Sequence, residues 1–367
     1  MKPETFAIHA GNFPDETNRP VIQSLTLATT FERPNVAGHS YTRATNPNRS
    51  ALENVLAKLE NGADAAAFSS GNAAGMTVFQ ALPPGSHVIV PDGMYNGLRL
   101  QILSVFKDVL DFTFVNQGDL DAVAAAMKPE TRLLWVETPS NPMLQLSDIA
   151  ALCALVQPAG IKVVCDNTFA TPVFQQPLLL GADVVMHSST KYLCGHSDVL
   201  GGALVTKEKD GFWNRIRDIQ VLGGAVPSPF DCYLLTRSIK TLYYRMRGHA
   251  YNAQKLAEFL KGHPAVEEVY YPGLPTHTGH DIAQKQMTGY GAVLSFLVKD
   301  GVEKADKIVA SVKYYAHATS IGGVESLIER RASVESPDTK TPQNLIRVSV
   351  GLEHIDDLLE DMEQALR

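Results

Sequence analysis

The stretch 187–195, HSSTKYLCG, sets Lys191 behind the hydroxyl side chains of Ser188 and Thr190, at the end of an apolar run, GADVVM. A lysine where a buried strand meets a loop is costly unless its amine is neutralised or used. Covalent attachment to an aldehyde does both, and it needs a depressed pKa and a site that excludes water. The same arrangement also suits an ordinary surface lysine at a strand end, so other residues must decide.

Three further clusters bear on it. Glu137 and Asp166 end the apolar runs LLWV and KVVC, and a carboxylate ending a buried strand calls for a cationic partner. Asp166 could hold a pyridinium nitrogen protonated and so sustain an electron sink; it could equally cap the turn that follows. The run Phe68-Ser69-Ser70-Gly71-Asn72-Ala73-Ala74-Gly75 precedes a helical stretch. Small residues there let a phosphate approach the free N–H groups of a helix start. It has neither the GxGxxG fingerprint nor a P-loop GK[ST]. In Tyr41-Thr42-Arg43, the guanidinium suits bidentate phosphate recognition, or is simply a surface charge. Its place in an irregular arm suggests reach toward a neighbouring subunit.

The elements that must position these residues alternate. Apolar runs at 86–90, 133–137, 162–166, 182–186 and 202–206 read as buried strands, with helices such as 120–127 and 149–156 between them. That alternation predicts a mainly parallel sheet covered on both faces, with ligands outside the carboxyl ends of its strands. Residues 1–48 read as an extended arm. A helix is expected to open at Ser50, capped by the Ser50/Glu53 box. After about residue 240 a long helix (238–261), short strands and a final helix, IDDLLEDMEQAL, form a smaller α/β region. The expected division is an arm (1–48), a large domain (49–240) and a C-terminal domain (241–367).

Composition narrows the class. The chain has 367 residues, 45% hydrophobic and 19% charged, as in a globular protein. No apolar run approaches the roughly 20 residues of a spanning helix, and the start lacks a secretory signal plan, so a cytoplasmic location is expected. A formal charge of −7 argues against nucleic acid or an anionic membrane as partner. Cys153, Cys165, Cys194 and Cys232 are scattered without CxxC spacing, which reads as free thiols in a reducing compartment. His277 and His280 make an HxxH, with His263 upstream, but in a Pro/Gly-rich connection without HExxH. No metal site is expected.

Together the segments YTRATNP, SSGNAAG, the tyrosine of PDGMYNG, ETPSNP, DNTFATP, HSSTKYLCGHSDVLGGA, SIGGVESL and LIRVSVGLE resemble the pyridoxal-phosphate (PLP) enzymes of cysteine and methionine metabolism. That group includes cystathionine γ-synthase, the cystathionine γ- and β-lyases and methionine γ-lyase. The resemblance spans nearly the whole chain, in order. It implies PLP fold type I, the aspartate-aminotransferase-like architecture, and a homotetramer of two dimers with active sites shared between subunits. It makes Lys191 the Schiff-base lysine and proton shuttle, and Asp166 the pyridinium partner. Ser188, Thr190 and the backbone of Gly71 and Asn72 would hold the phosphate, completed by Tyr41 and Arg43 of the other subunit. Tyr95 would stack on the ring and take part in proton transfer. Asn141 would lie near the ring oxygen and the substrate carboxylate, which Arg347 and Ser320 would clamp.

The implied reaction is γ-elimination or γ-replacement on a sulfur amino acid or an activated homoserine. A β-lyase or methionine γ-lyase-like activity is the alternative, and a non-catalytic PLP-binding protein is a reading from another class. Thr319 stands where many of these enzymes carry a glutamate that recognises a distal amino group. Tyr95 is followed by NGLR rather than GGT, which displaces Arg99 by one residue, and Asn96 and Gly97 stand where a methionine γ-lyase has its cysteine.

Overall fold

A computed structural model describes residues 1–12, 19–335 and 340–367. Seven strands form the first sheet: β1 (Asp64–Phe68), β2 (His87–Pro91), β3 (Asp111–Val115), β4 (Thr131–Glu137), β5 (Lys162–Asp166), β6 (Val184–His187) and β7 (Gly202–Thr206). Their order is β1-β7-β6-β5-β4-β2-β3. The block β3-β2-β4-β5-β6 is parallel, and β7 runs antiparallel to both β6 and β1. The sheet is thus mainly parallel, as expected, with an antiparallel pair at one side. Buried strands such as LLWV present apolar residues to both faces, because helices cover both. Trp135, fully buried, packs on Phe79 from the helix Gly71–Gln80.

A second sheet holds β8 (Val266–Tyr270), β9 (Val293–Val298), β10 (Ala316–His317), β11 (Leu327–Arg330) and β12 (Leu345–Ser349), in the order β10-β11-β12-β9-β8. Only β10 and β11 are parallel. The helix Leu242–Gly262 lies in sequence between the sheets, and the helix Ile355–Leu366 closes the chain.

Three local expectations need correction. The arm is not wholly extended, since Pro3–His9 is helical; its residues 13–18 lie outside the described residues. The first long helix opens at Pro47 rather than Ser50. Asn46 caps it by accepting the N–H of Asn48, and Pro at the first position needs no N–H partner. Glu53 instead turns inward, where Oε1 accepts from Ala67 N, Arg217 and Gln220. The long helix expected from 238 is two, Pro229–Ile239 and Leu242–Gly262.

Candidate active site

The carboxyl ends of β4, β5 and β6 open onto a cavity of about 670 Å³ whose walls include Lys191, Asp166, Tyr95, Arg347 and Arg331. Glu137 and Asp166 are register partners on adjacent parallel strands, so their carboxyl groups point the same way. Burial raises both, and the Asp166 charge lifts Glu137 further. Asp166 Oδ1 accepts from the Thr168 N–H at 3.0 Å and from its hydroxyl, and His187 also favours the anion. Of the two, Glu137 is pushed up further, while the Thr168 bonds hold Asp166 down. Glu137 is committed differently: its Oε2 accepts the Tyr95 N–H at 2.7 Å and fixes the start of the helix Asn96–Ser104.

Lys191 lies in the turn after β6, partly buried, with Nζ donating to Ser320 Oγ at 2.6 Å. Burial, then the charges of Arg347 and Arg331, pull its pKa down to about 8. The surface-lysine reading fails on this environment. Ser320 comes from the connection before β11 and adopts φ +118°, a strained conformation for a residue with a side chain. Arg347, on β12, donates to Asn141 Oδ1 at 2.9 Å and to the Ser320 carbonyl at 3.1 Å. Asn141, Ser320 and Arg347 are thus one bonded group, although 206 residues separate Asn141 from Arg347.

Ser70 caps the helix Gly71–Gln80 by accepting the Ala73 N–H. A Cβ on Gly71 would lie 2.9 Å from Ser188 Cβ, so only glycine lets the helix start come this close to the end of β6. Gly71, Asn72, Ser188 and Thr190 line the cavity together. The Thr190 hydroxyl is engaged with the backbone of Gly201 on both sides. Tyr95 stands at the rim, 42% exposed, and Thr319 is exposed beside Ser320.

Tyr41 and Arg43 are not brought to this cavity. Arg43 rests over the Tyr41 ring at 5.3 Å, and both are exposed. His277 and His280 bond the carbonyls of Leu144 and Pro272, which answers the HxxH spacing with backbone contacts. Among the described residues no three His, Cys, Asp or Glu side chains converge as a metal site would require. All four cysteines are buried and unpaired.

The sequence reading missed Glu329 and Arg331. Glu329 faces Arg347 across the β11–β12 pair, and Arg331 joins the cavity wall. Spacing along the chain carries no signal of a cross-strand partner. It also missed Glu60, whose Oε1 pairs with His187 Nε2 at 2.6 Å and accepts from Asn167 at 2.8 Å, all buried behind Asp166.

Do these residues fit a phosphorylated pyridine aldehyde? The close approach of Gly71 to Ser188 leaves a helix start for the phosphate. Asp166 is a buried acid on the cavity wall, placed where a protonated ring nitrogen would be its ion partner. Lys191 is an amine whose pKa is lowered to about 8. They fit.

Fold and cavity together place the chain among the PLP-dependent enzymes of fold type I. More narrowly, the family model described as Cys/Met metabolism PLP-dependent enzyme matches residues 4–367, and the chain belongs to that family. It is 48% identical to cystathionine γ-synthase of Mycobacterium tuberculosis (strain H37Rv), over 99% of this chain and 96% of that protein. It is 43% identical to cystathionine γ-lyase of Dictyostelium discoideum, over 99% and 97%. The crystal structure of metB from Corynebacterium glutamicum superposes with a TM-score of 0.97 at 41% identity, covering all of this chain and 98% of that one. Cystathionine γ-lyase from Lactobacillus plantarum, complexed with L-serine, gives 0.95 at 40% identity and the same coverage.

Proposed function

We propose that the protein is a PLP-dependent transsulfuration enzyme acting at the γ carbon of a sulfur amino acid or activated homoserine, by elimination or replacement. The observation that carries this reading is Lys191: a cavity-facing amine with a pKa of about 8, bonded to Ser320 in a cavity whose walls also carry the strand-end acid Asp166 and Arg347.

PLP, when bound, supplies an electron sink that makes Cα and Cβ protons of an amino acid acidic. Lys191 would hold it covalently and, when free, serve as the base that moves protons at Cα and Cβ of the substrate. Its neutral fraction near pH 8 suits that task. Asp166, its Oδ1 bound by Thr168, would pair with the ring nitrogen and favour its protonated form. Gly71, Asn72, Ser188 and Thr190 would hold the phosphate. Tyr95 would stack on the ring, worth on the order of 1 kcal/mol beyond burial. Arg347 and Asn141 orient the substrate carboxylate, with Ser320, and that placement fixes which bond stands ready to break. Phe169, Met186, Leu200 and Ile321 supply the apolar part of the cavity wall.

Thr319 offers a neutral hydroxyl to the distal end of the substrate. Tyr41 and Arg43, exposed and remote from their own chain's cavity, complete the phosphate site of a second subunit, in a homotetramer built from two such dimers. The two sheets, spanning 64–206 and 266–349, support domain limits near 49–240 and 241–367. No helix among the described residues is long and apolar enough to cross a membrane, and a cytoplasmic site of action is part of the proposal.

The test has two stages. Borohydride reduction and digestion should leave a pyridoxyl group on the peptide containing Lys191. Cystathionine should then yield 2-oxobutanoate, or an acylated homoserine with cysteine should yield cystathionine. Pyruvate from cystathionine would shift the assignment to β-cleavage, the activity named for the 41% identical cystathionine β-lyase of Coxiella burnetii. No turnover of any of these by pyridoxylated protein defeats the substrate assignment.

A further inference from the structure

Behind the chamber lies a buried carboxylate, Glu60, that lines no part of it. Glu60 ends the helix Pro47–Leu59 and is 1% exposed. Its Oε1 is paired with His187 Nε2 at 2.6 Å and accepts from Asn167 Nδ2 at 2.8 Å. These two neighbours adjoin the working ends of the site, since Asn167 follows Asp166 and His187 precedes Ser188. Asp166 and Ser188 face the cavity, whereas Asn167 and His187 do not, as alternation along an extended chain requires. On the cavity side Thr168 makes the matching tie: its hydroxyl accepts the Ser188 N–H at 2.9 Å and donates to Asp166 Oδ1. The ends of β5 and β6 are thus bound to each other on both faces.

We infer that Glu60 is a positioning residue for the cofactor: by clamping Asn167 to His187 it sets the span between Asp166, which meets the ring nitrogen, and Ser188, which meets the phosphate. The inference rests on the functional reading above and deepens it. Stability alone gives no reason for such a group. Desolvating a carboxylate and an imidazole offsets most of what their attraction supplies. Glu60 Oε2 and His187 Nδ1, moreover, find no hydrogen-bond partner among the described residues. What the arrangement does supply is distance, because one oxygen atom holds two side chains whose backbones lead to opposite ends of a single rigid ligand. Asn167 is itself braced, donating to the Gln175 carbonyl at 2.9 Å and accepting from Gln175 Nε2 at 3.1 Å. The pull of Glu60 is therefore not lost in a loose side chain. The imidazole of His187 also favours the Asp166 anion, so the clamp and the ring-nitrogen contact act in the same sense.

A ligand that carries both ends binds tighter than its two halves only when the spacing of the site matches its own. The measurement is therefore the PLP affinity of the full chain, freed of cofactor and reloaded, against its affinity for pyridoxal together with inorganic phosphate. Glu60→Leu should weaken PLP about tenfold or more, while pyridoxal and phosphate, each free to shift, stay within about threefold of the parent. Glu60→Gln keeps an oxygen acceptor for both neighbours and should restore most of the PLP affinity. Should the Leu variant not fold, His187→Leu opens the phosphate side of the clamp alone and carries the same expectation. Parental PLP affinity in whichever of the two folds overturns the proposal. So does a loss shared equally by PLP and the separate halves, which marks a general weakening of the protein. A Gln variant as impaired as Glu60→Leu also overturns it, since charge rather than spacing would then be at work. Failure of the functional reading looks different, because the parent itself would then carry no pyridoxyl group on Lys191 after borohydride.

Discussion

At the scale of single residues, the chemistry depends on charges placed where water cannot screen them. Lys191 has an ordinary pKa of 10.5 that burial and two guanidinium groups reduce to about 8. Cofactor attachment to the cofactor-free protein should therefore accelerate up to about pH 8 and level off above it. A lysine at its ordinary pKa would still be gaining rate at pH 10, so a stopped-flow profile separates the cases. The same shift acts on stability. Between about pH 8 and 10.5 the unfolded chain binds a proton that the folded one has released, so the contribution of Lys191 to stability improves as pH rises through that window. Asp166 is the opposite charge in the chamber. An adjacent anion typically shifts a partner's pKa by about 1–3 units, so Asp166→Asn should lower kcat/KM by about ten- to a thousandfold. Retention of covalent cofactor in that variant, checked by absorbance, would show the loss to be electronic rather than structural. Lys191 and Asp166 are legible in the sequence because each sets a polar type at the end of an apolar run, whereas Arg347 enters only through the family resemblance. Arg331 is legible in neither way, since only the pairing of β11 with β12 brings it to Arg347.

Among the elements, strands are legible where burial on both faces gives a continuous apolar run, as in KVVCD (β5) and GALVT (β7), whose limits match the expectation. β1, DAAAF, escaped notice because a run of alanines is as good a helix as a strand. β3, DFTFV, is half-exposed at the sheet edge and alternates instead of running apolar. β1 matters to the site all the same: it pairs with β7, Phe68 opposite Gly202, and carries the Ser70–Gly71 turn at its end. A Cβ on Gly202 would lie 2.1 Å from the Ser70 carbonyl oxygen, a backbone atom that cannot step aside alone. Gly202→Ala should therefore push the helix start away from Ser188. The expected loss is about 1–3 kcal/mol of stability from overpacking, read as a lower denaturant midpoint, with weaker retention of PLP on dialysis. Unchanged PLP retention in a destabilised variant would mean that the Ser70–Gly71 turn does not hold the phosphate.

For the molecule as a whole, no described residue of the arm lines the chain's own cavity. Tyr41 and Arg43 stay exposed, 46% in the case of Tyr41, stacked on each other, while Arg49 ties down the carbonyls of Thr42, Arg43 and Ala44. The arm's backbone is thus anchored while the side chains of Tyr41 and Arg43 are left presented outward. Their place in an irregular arm is what suggests reach toward a neighbour, since no spacing rule within one chain encodes a contact with another. If the arm serves a second subunit, the defects Arg43→Ala and Lys191→Ala fall in the same site of a mixed dimer. One site then inherits both lesions and the other inherits neither. Co-expressed at equal levels, the two inactive variants should regain about a quarter of the parent's activity, since half the dimers are mixed and each has one intact site. If Arg43 serves its own chain, every site in every mixture carries a lesion, and the mixed population stays as inactive as its components.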